Sequence, residues 1–211
     1  MTEKLLCIIG ERYPITPIPD SCVECLRASG MKFNIRAYHA EGLGHVSVMS
    51  AKGFSGLMKM DTLIVNPTEV DLPLYSYDRI FAMGNDTLIV ELYDTLSRGD
   101  FSMEDVKAKY SSLIERDPGE HWYDSIKLPE SISKKGKKAD TPALSRLTTE
   151  HLVAYLDAAR LTDNHEVKKE KARIYVEGLL SKGGPSTDAF KKAIGDERTA
   201  ELFRNILFGT K

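Results

Sequence analysis

Apolar and polar residues alternate along the first half of the chain, and a helical period replaces this alternation in the second half. Alternation with period two is typical of strands that bury one or both faces. It predicts five strands, over residues 32–40, 44–51, 57–65, 76–83 and 87–93. Short turns containing glycine separate these segments, so each strand should pair with its neighbour in sequence. We therefore expect an antiparallel meander.

Helices are predicted mainly after residue 100. The spacing of apolar residues indicates helices over 103–115, 147–161, 165–182 and 186–208, the last of them broken near Gly195. A further short helix is predicted from Asp20 or Ser21 to Gly30, since Ser21 and Glu24 have the spacing of a capping box. Strands followed by helices favour an α+β fold in which the helices cover an antiparallel sheet.

Length and composition narrow the class of protein. The 211 residues suit one domain, residues 1–211, and they are 42% hydrophobic with a formal net charge of −2. That charge argues against a general nucleic-acid binder. No apolar run is long enough to span a bilayer, and the apolar stretch at residues 5–9 is too short for a signal peptide. We expect a cytoplasmic protein with no membrane or nucleic-acid partner.

A candidate acid follows a rigid segment of the strand-rich half. Pro67 and Pro73 bracket a crossover between two strands, because proline fixes its own φ and offers no donor to a sheet. The crossover leads to Asp78, which is flanked by apolar residues and is expected to be partly buried. A buried carboxylate prefers its protonated form, so Asp78 is a potential proton donor near neutral pH.

Motifs for metals and nucleophiles are weak. Cys22 and Cys25 form a C-x-x-C, but the βαβ setting of a thioredoxin-like motif is missing and no second ligand pair supports zinc, so we interpret them as ordinary half-buried cysteines. No histidine pair has metal-binding spacing, and no metal is expected. His45 lies in a predicted strand, where it either faces a pocket or is hydrogen-bonded in the structure.

The segment 117–142 is predicted to be a polar loop, and its charges allow two interpretations. Its dense basic run is either a solvated surface or a docking surface for an acidic partner; it consists of Lys134, Lys135, Lys137 and Lys138. Just ahead of it, Arg116 and Trp122 could present a guanidinium and an indole to a carboxylated aromatic ligand. An arginine at a helix end is also commonly a surface charge that interacts with the helix dipole.

Two segments resemble one enzyme family, the ferredoxin-dependent bilin reductases. The C-terminal part is similar in its tyrosine-bearing helix, in the break Ile194-Gly195-Asp196-Glu197 and in the close Ile206-Leu207-Phe208. The crossover is similar in its order of strand, proline, Asp71-Leu72-Pro73 and, five residues after this proline, Asp78. The resemblance extends with gaps from about residue 43 to residue 208.

The resemblance implies a three-layer α/β/α sandwich with a bilin between the sheet and the C-terminal helices. It implies reduction of a linear tetrapyrrole without a tightly bound cofactor, with electrons from reduced ferredoxin, an iron–sulfur protein, and protons from the enzyme. Asp78 would be the principal acid. The lysine-rich segment would then be the docking surface for the acidic ferredoxin.

Other site residues are implied by position within this family. The place of a family histidine falls at Asp61 or Thr62, so Asp61 would be a second proton donor and Thr62 would contact the substrate. Asp140 lies near another catalytic aspartate, and Arg116, Trp122 and His45 would bind the pigment. Because the family's histidine and a strand glutamate are missing, a non-catalytic tetrapyrrole carrier or sensor on the same scaffold is the alternative.

Overall fold

A computed structural model describes residues 1–184 and 186–211, and its centre is one antiparallel sheet. The strands of this part of the chain are β1 Ile15–Pro17, β2 Val23–Ala28, β3 Met31–Ala40, β4 Gly44–Gly53, β5 Met58–Asn66, β6 Leu74–Ala82, β7 Asn85–Tyr93, β8 Ile114–Glu115 and β9 Ile132–Lys137. Their spatial order is β1-β3-β4-β5-β6-β7-β9-β8, and β2 also pairs with β3. The predicted meander is therefore the run from β3 to β7.

Helices precede and follow the strands. They are α1 Thr2–Gly10, α2 Thr141–Asp157, α3 His165–Lys182, α4 Thr187–Ile194 and α5 Asp196–Glu201, and a wider π-helical segment, Leu202–Leu207, continues α5. In the ranges 1–184 and 186–211, none of these helices combines the length and the apolar character that crossing a membrane requires.

Both faces of the sheet are buried, each against a different helical layer. Residues of α1 and α2, such as Leu5 and Leu147, pack on the face that carries Leu63, which we call the α2 face. Residues of α3 and of the terminal π-helical segment, such as Val176 and Phe203, pack on the other face, which we call the α3 face. This three-layer α/β/α sandwich confirms the predicted fold class.

The five predicted strands are confirmed, and no boundary differs by more than two residues. The alternation of side chains succeeded because each of these strands is buried on at least one face. The turn at Gly84 also follows the prediction, since this glycine has a φ of +75°, a conformation that L side chains rarely adopt. Helix α3 begins and ends as predicted, and Gly195 breaks the last helix with a φ of +83°.

The predicted helix from Asp20 to Gly30 is wrong, because this segment contains strand β2. The Ser21 hydroxyl does not cap a helix; it donates to the carbonyls of Ile18 and Ala37, at 2.7 and 3.1 Å. Strand β2 instead satisfies the free edge of β3, and a register shift between Val23 and Leu26 accommodates the backbone of Cys25, whose φ is +59°.

Two predictions in the middle of the chain are also wrong. Residues 103–115 form a 3₁₀ turn and the short strand β8 instead of a helix, and the supposed loop 117–142 contains β9 and the start of α2. Strand β9 was hidden because Lys134 occupies an inward position: its ammonium donates to the Leu113 carbonyl at 3.2 Å and to Glu115 at 2.5 Å. A lysine buried in this way does not show the apolar alternation by which strands are detected.

The sequence analysis did not predict a helix over residues 2–10, where the structure has α1.

The proline-bracketed crossover is held by one buried lysine. The Lys168 ammonium, on α3, donates to the Leu72 carbonyl at 2.7 Å and lies 3.5 Å from the Asp71 carboxylate. The same carboxylate accepts hydrogen bonds from the backbone N–H groups of Ser97 and Arg98, at 2.7 and 3.2 Å. Burial lowers the pKa of Lys168 to about 8. The Asp71-Leu72-Pro73 motif thus joins the sheet to the α3 layer.

A second buried pair joins the sheet to the α2 layer, and it yields a stability prediction. Arg79 and Asp86 are each about 1% exposed; the guanidinium donates to the carboxylate through two nitrogens, and Thr141 of α2 also donates to Asp86, at 2.6 Å. We expect Asp86→Ala to lower the free energy of unfolding by about 3–5 kcal/mol, because it leaves a buried guanidinium without its partner. Urea denaturation measures this change.

The matched control is Glu104→Ala, which removes the partner of an exposed pair with Lys109. We expect it to change the free energy of unfolding by about 1 kcal/mol or less. Equal effects of the two substitutions would contradict the structural role of the buried pair.

Candidate functional site

Asp78 occupies the middle of β6 and points to the α3 face. Its neighbours Tyr77 and Arg79 point to the α2 face, where Tyr77 belongs to the apolar core with α2. Successive side chains of a strand alternate between faces, so Asp78 must point the other way. In the sheet it pairs directly with Thr62 of β5 and Ile89 of β7.

The Asp78 side chain lines a cavity between the sheet and the α3 layer, with a volume of about 80 Å³. The polar side chains around it come mostly from β5, β6 and β7; they are Thr62, Ser76, Asp78, Glu91, Tyr93, Tyr123, Tyr175, Ser186 and Thr187. Apolar side chains of Met49, Ile64, Leu179, Phe203, Leu207 and Phe208 complete its walls. The predictions that Asp78 and Thr62 belong to one site agree with this geometry.

Asp78 has the electrostatic properties of a proton donor. Burial raises its pKa to about 6, and the nearby charge of Glu91 adds to this rise. A hydrogen bond from the Thr62 hydroxyl, 2.5 Å from Asp78 Oδ1, stabilises the carboxylate and acts in the opposite direction. With this pKa about a tenth of the carboxyl groups keep their proton at pH 7. Near neutrality the group can therefore both give and take a proton.

Glu91 is a second carboxylate of the cavity, and the sequence analysis missed it. It lies on β7 directly opposite Ser76, accepts a hydrogen bond from the Tyr93 hydroxyl at 2.6 Å and lies 3.8 Å from the Lys127 ammonium. A signal was present in the sequence: Glu91 interrupts the apolar residues of a predicted strand in which both faces are covered. A charged residue at such a position is seldom buried without a partner or a function.

An aromatic cluster closes one side of the cavity. The rings of Tyr93 and Tyr175 have centroids 4.3 Å apart, and Tyr123 meets Tyr93 edge-on at 5.5 Å. Burial raises the pKa of each of these three phenols, so they remain neutral donors at physiological pH. Flat apolar surfaces with hydroxyl groups at their edges suit a planar conjugated ligand.

Trp122 supports this cluster from behind but does not line the cavity. Its indole lies so close to Gly178 of α3 that a Cβ atom there would be 2.2 Å from the ring. The indole N–H donates to the Gly183 carbonyl at 2.9 Å, and Lys182 lies over the ring at 5.0 Å from its centroid. Trp122 therefore packs between α3 and Tyr123, and the centroids of the Trp122 and Tyr123 rings are 5.3 Å apart.

Arg116 lies at the margin of the same face. Its guanidinium is 3.5 Å from the Ser133 hydroxyl on β9, and Ser133 pairs with Ile89, which in turn pairs with Asp78. Two strand spacings separate Ser133 from Asp78, a distance of about 10 Å. Arg116 is thus placed where it could hold a carboxylate of a ligand that extends from the cavity.

His45 does not face the cavity, because it is engaged in fastening the C-terminal segment. Its Nε2 is 2.8 Å from the Ile206 carbonyl, the Ser47 hydroxyl donates to the Leu207 carbonyl at 2.7 Å, and the Asn66 amide donates to the Phe208 carbonyl at 2.8 Å. The last carbonyls of a helix need such partners. Burial lowers the pKa of His45, which favours the neutral ring.

Two other predicted acids lie outside the site. Asp61 is one residue from Thr62 and therefore points to the α2 face, where it lies 3.4 Å from the N-terminal ammonium. Asp140 accepts a hydrogen bond from the Lys137 backbone N–H at 2.8 Å and packs against Gly136, whose strand partner Asp86 points to the α2 face. The structure therefore does not bring either carboxylate to Asp78, and neither lines the cavity.

The predicted lysine docking run is also divided by the structure. Lys134 is buried on the α2 face and pairs with the exposed Glu115, whereas Lys135, Lys137 and Lys138 are exposed.

The three cysteines are free and exposed, not half-buried. Across residues 1–184 and 186–211, no group of three or more His, Cys, Asp or Glu side chains has an arrangement that could hold a metal ion.

The raised pKa of Asp78 predicts a pH dependence of stability. The folded state binds this proton more tightly than the unfolded state, in which an aspartate has its ordinary pKa near 3.9. Asp78 should therefore add about 3 kcal/mol to the free energy of unfolding near pH 4, and this contribution should be lost as the pH rises to about 6. Burial lowers the pKa of His151 to about 4, which acts in the opposite direction over the same pH range, so the measurement is the difference in free energy of unfolding between the wild type and Asp78→Asn, from urea titrations at a series of pH values. Asp61→Asn, the same change on the other face, should show a difference from the wild type that does not change in this way, and a difference for Asp78→Asn that is independent of pH would contradict the assignment.

Comparisons with solved structures support the fold. No family model matches the chain, and no curated protein is significantly similar to it in sequence. Among solved structures, the chain is similar to phytochromobilin synthase from tomato, crystallised in complex with biliverdin, with a TM-score of 0.75 and 14% sequence identity. The match covers 100% of this chain and 83% of that chain. At this identity the comparison shows a shared fold.

Proposed function

We propose that this chain binds a linear tetrapyrrole between its sheet and its α3 layer and reduces it, with Asp78 as the proton donor. The observation that carries the proposal is the Asp78 carboxyl, whose pKa is raised to about 6 inside a cavity between two layers. The similarity of fold to a protein crystallised with biliverdin supports the choice of ligand.

The chemistry requires electrons and protons in equal number. Reduction of one double bond of the pigment consumes two electrons and two protons and forms two C–H bonds. An acidic iron–sulfur protein of the ferredoxin type supplies the electrons one at a time, and the Asp78 carboxyl supplies a proton to the charge that the first electron creates. Glu91, hydrogen-bonded to Tyr93, is the second carboxylate that the cavity offers for the remaining proton. The cavity's aromatic and apolar walls keep water away from this step.

Binding of a tetrapyrrole requires the cavity to open. Its volume of about 80 Å³ is below the roughly 300–1,000 Å³ of a typical small-molecule site. We propose that the wall that moves is the α4–α5 segment, because Gly183 and Gly195 flank α4 and glycine can adopt other backbone conformations at little cost. We expect biliverdin to change hydrogen exchange in residues 187–208 more than in β4 and β5.

Asp78→Asn should abolish reduction while it preserves binding, since the amide keeps the shape of the side chain but cannot deliver the proton. The measurement follows the visible spectrum of biliverdin with reduced ferredoxin in an anaerobic cuvette, where progressive loss of the parent band reports reduction. Asp61→Asn is the matched control and should retain turnover. Full turnover by Asp78→Asn, or its loss in Asp61→Asn with an intact fold, would refute the role of Asp78.

Arg116→Gln should weaken binding of the pigment about tenfold and leave turnover at saturation unchanged, because Arg116 lies beyond Ser133, which is itself about 10 Å from Asp78. A spectroscopic titration with biliverdin measures the dissociation constant. Arg98→Gln, which removes an exposed guanidinium paired with Asp163, serves as the control. An unchanged affinity in Arg116→Gln would exclude this residue as an anchor for a propionate.

A carrier or sensor of tetrapyrroles remains the second candidate, and one observation favours it. In the part of the chain that the structure describes, no imidazole lines the cavity, since His45 is bound to the Ile206 carbonyl. A stable spectral shift without loss of the parent band would support the carrier. No spectral response to any linear tetrapyrrole would reject both candidates.

A further inference from the structure

Four cations stand side by side across one end of the sheet. Arg27 of β2 pairs directly with Lys32 of β3, Lys32 pairs with Lys52 of β4, and Lys52 pairs with Lys59 of β5. Directly opposite residues of antiparallel strands share a face and lie about 5 Å apart. These four residues, which we call the cationic row, therefore form a continuous line about 14 Å long on the α2 face.

The positive charges of the cationic row are not neutralised by ion pairs within the described part of the chain. Within the described residues, none of its four side chains lies within 4.0 Å of a carboxylate oxygen, although lysine and arginine side chains elsewhere form many such ion pairs. The nearest acid along β5 is Asp61, which lies against the N-terminal ammonium. Like charges directly opposite each other destabilise a sheet. An arrangement with this cost suits a surface that meets negative charge from outside.

The surface around the cationic row is accessible and partly apolar. All four of its side chains are exposed, and so are Phe54 and Leu57 in the turn between β4 and β5, at 59% and 72%. An open cleft of about 780 Å³ runs from Arg27, Lys32 and Lys52 past Phe54 to Lys192 of α4. Exposed aromatic residues and arginine are enriched in protein interfaces, and a positive patch attracts a negatively charged partner.

We propose that the cationic row is the docking surface for the acidic protein that delivers electrons to this chain. This inference rests on the proposed function for the role of the partner. A flat row about 14 Å long fits the carboxylates of a protein surface, whereas a small anion needs donors that converge on one point. Lys59 is three residues from Thr62 on the same strand, so the nearer end of the row lies about 10 Å along β5 from the cavity, on the opposite face of the sheet. The row replaces the lysine run at 134–138, whose first member is buried.

The test compares two double variants that remove the same charge. In Lys32→Ala/Lys52→Ala, the KM for a reduced plant-type [2Fe–2S] ferredoxin should rise about tenfold at low salt, and its dependence on ionic strength should flatten. Turnover with dithionite and methyl viologen should not change, because these small reductants need no docking surface. Lys135→Ala/Lys138→Ala should change the KM for ferredoxin less than about twofold, since these lysines lie outside the row.

Each outcome has a distinct meaning. Equal effects of the two double variants, or no effect of Lys32→Ala/Lys52→Ala, would overturn the docking surface. Absence of turnover with dithionite in the wild-type chain would refute the proposed function; docking is then tested by sedimentation of the chain with oxidised ferredoxin, which the row variant should weaken about tenfold. Tighter binding of an RNA oligonucleotide than of ferredoxin at the same ionic strength would also overturn an acidic protein as the occupant.

Discussion

The burial of both faces of one antiparallel sheet is the constraint on which this structure depends. It makes the two sides of every central strand chemically different environments, so neighbouring residues have unrelated roles. Asp61 and Thr62 illustrate this: the first pairs with the chain's N-terminal ammonium on the α2 face, and the second donates to Asp78 on the α3 face. The same constraint raises the pKa of Asp78, because a carboxyl between two packed layers has lost most of its water.

Three sets of polar contacts hold the layers against the sheet. Asp86 joins β6 and β7 to the start of α2, and Lys168 joins α3 to the crossover. His45 and its neighbours on the sheet form hydrogen bonds with the last carbonyl groups of the C-terminal helical segment. Apolar packing supplies most of the stability but tolerates exchange among hydrophobic residues of similar volume. Hydrogen bonds of fixed direction fix how each layer lies on the sheet, and they define the shape of the cavity.

The sequence predicted the sheet well and the site in part. The strands β3–β7 were recognisable because alternation reports burial directly, and Asp78 because a carboxylate in such a strand is conspicuous. Strand β9 was not recognisable, because a buried lysine interrupts the apolar residues of its buried face. Strand β2 was missed because a local capping pattern suggested a helix. Asp61 was placed in the site by its position in the chain, whereas the pleat assigns it to the other face. Glu91 was overlooked although it interrupts an apolar strand, whereas the cationic row depends on strand register, which the alternation of a single strand does not determine.

The open turns at Gly56 and Gly84 have a consequence for how this chain can change in length. No atom lies within 4 Å of a Cβ position at either glycine. One residue inserted within β6 would exchange the two environments of the sheet, sending the Asp78 carboxyl among the side chains of α2 and a tyrosine into the cavity. One residue inserted at either turn would leave every inward position unchanged. Length variation among relatives, and the attachment of a spectroscopic label, should therefore be tolerated at these turns and excluded from the strands between them.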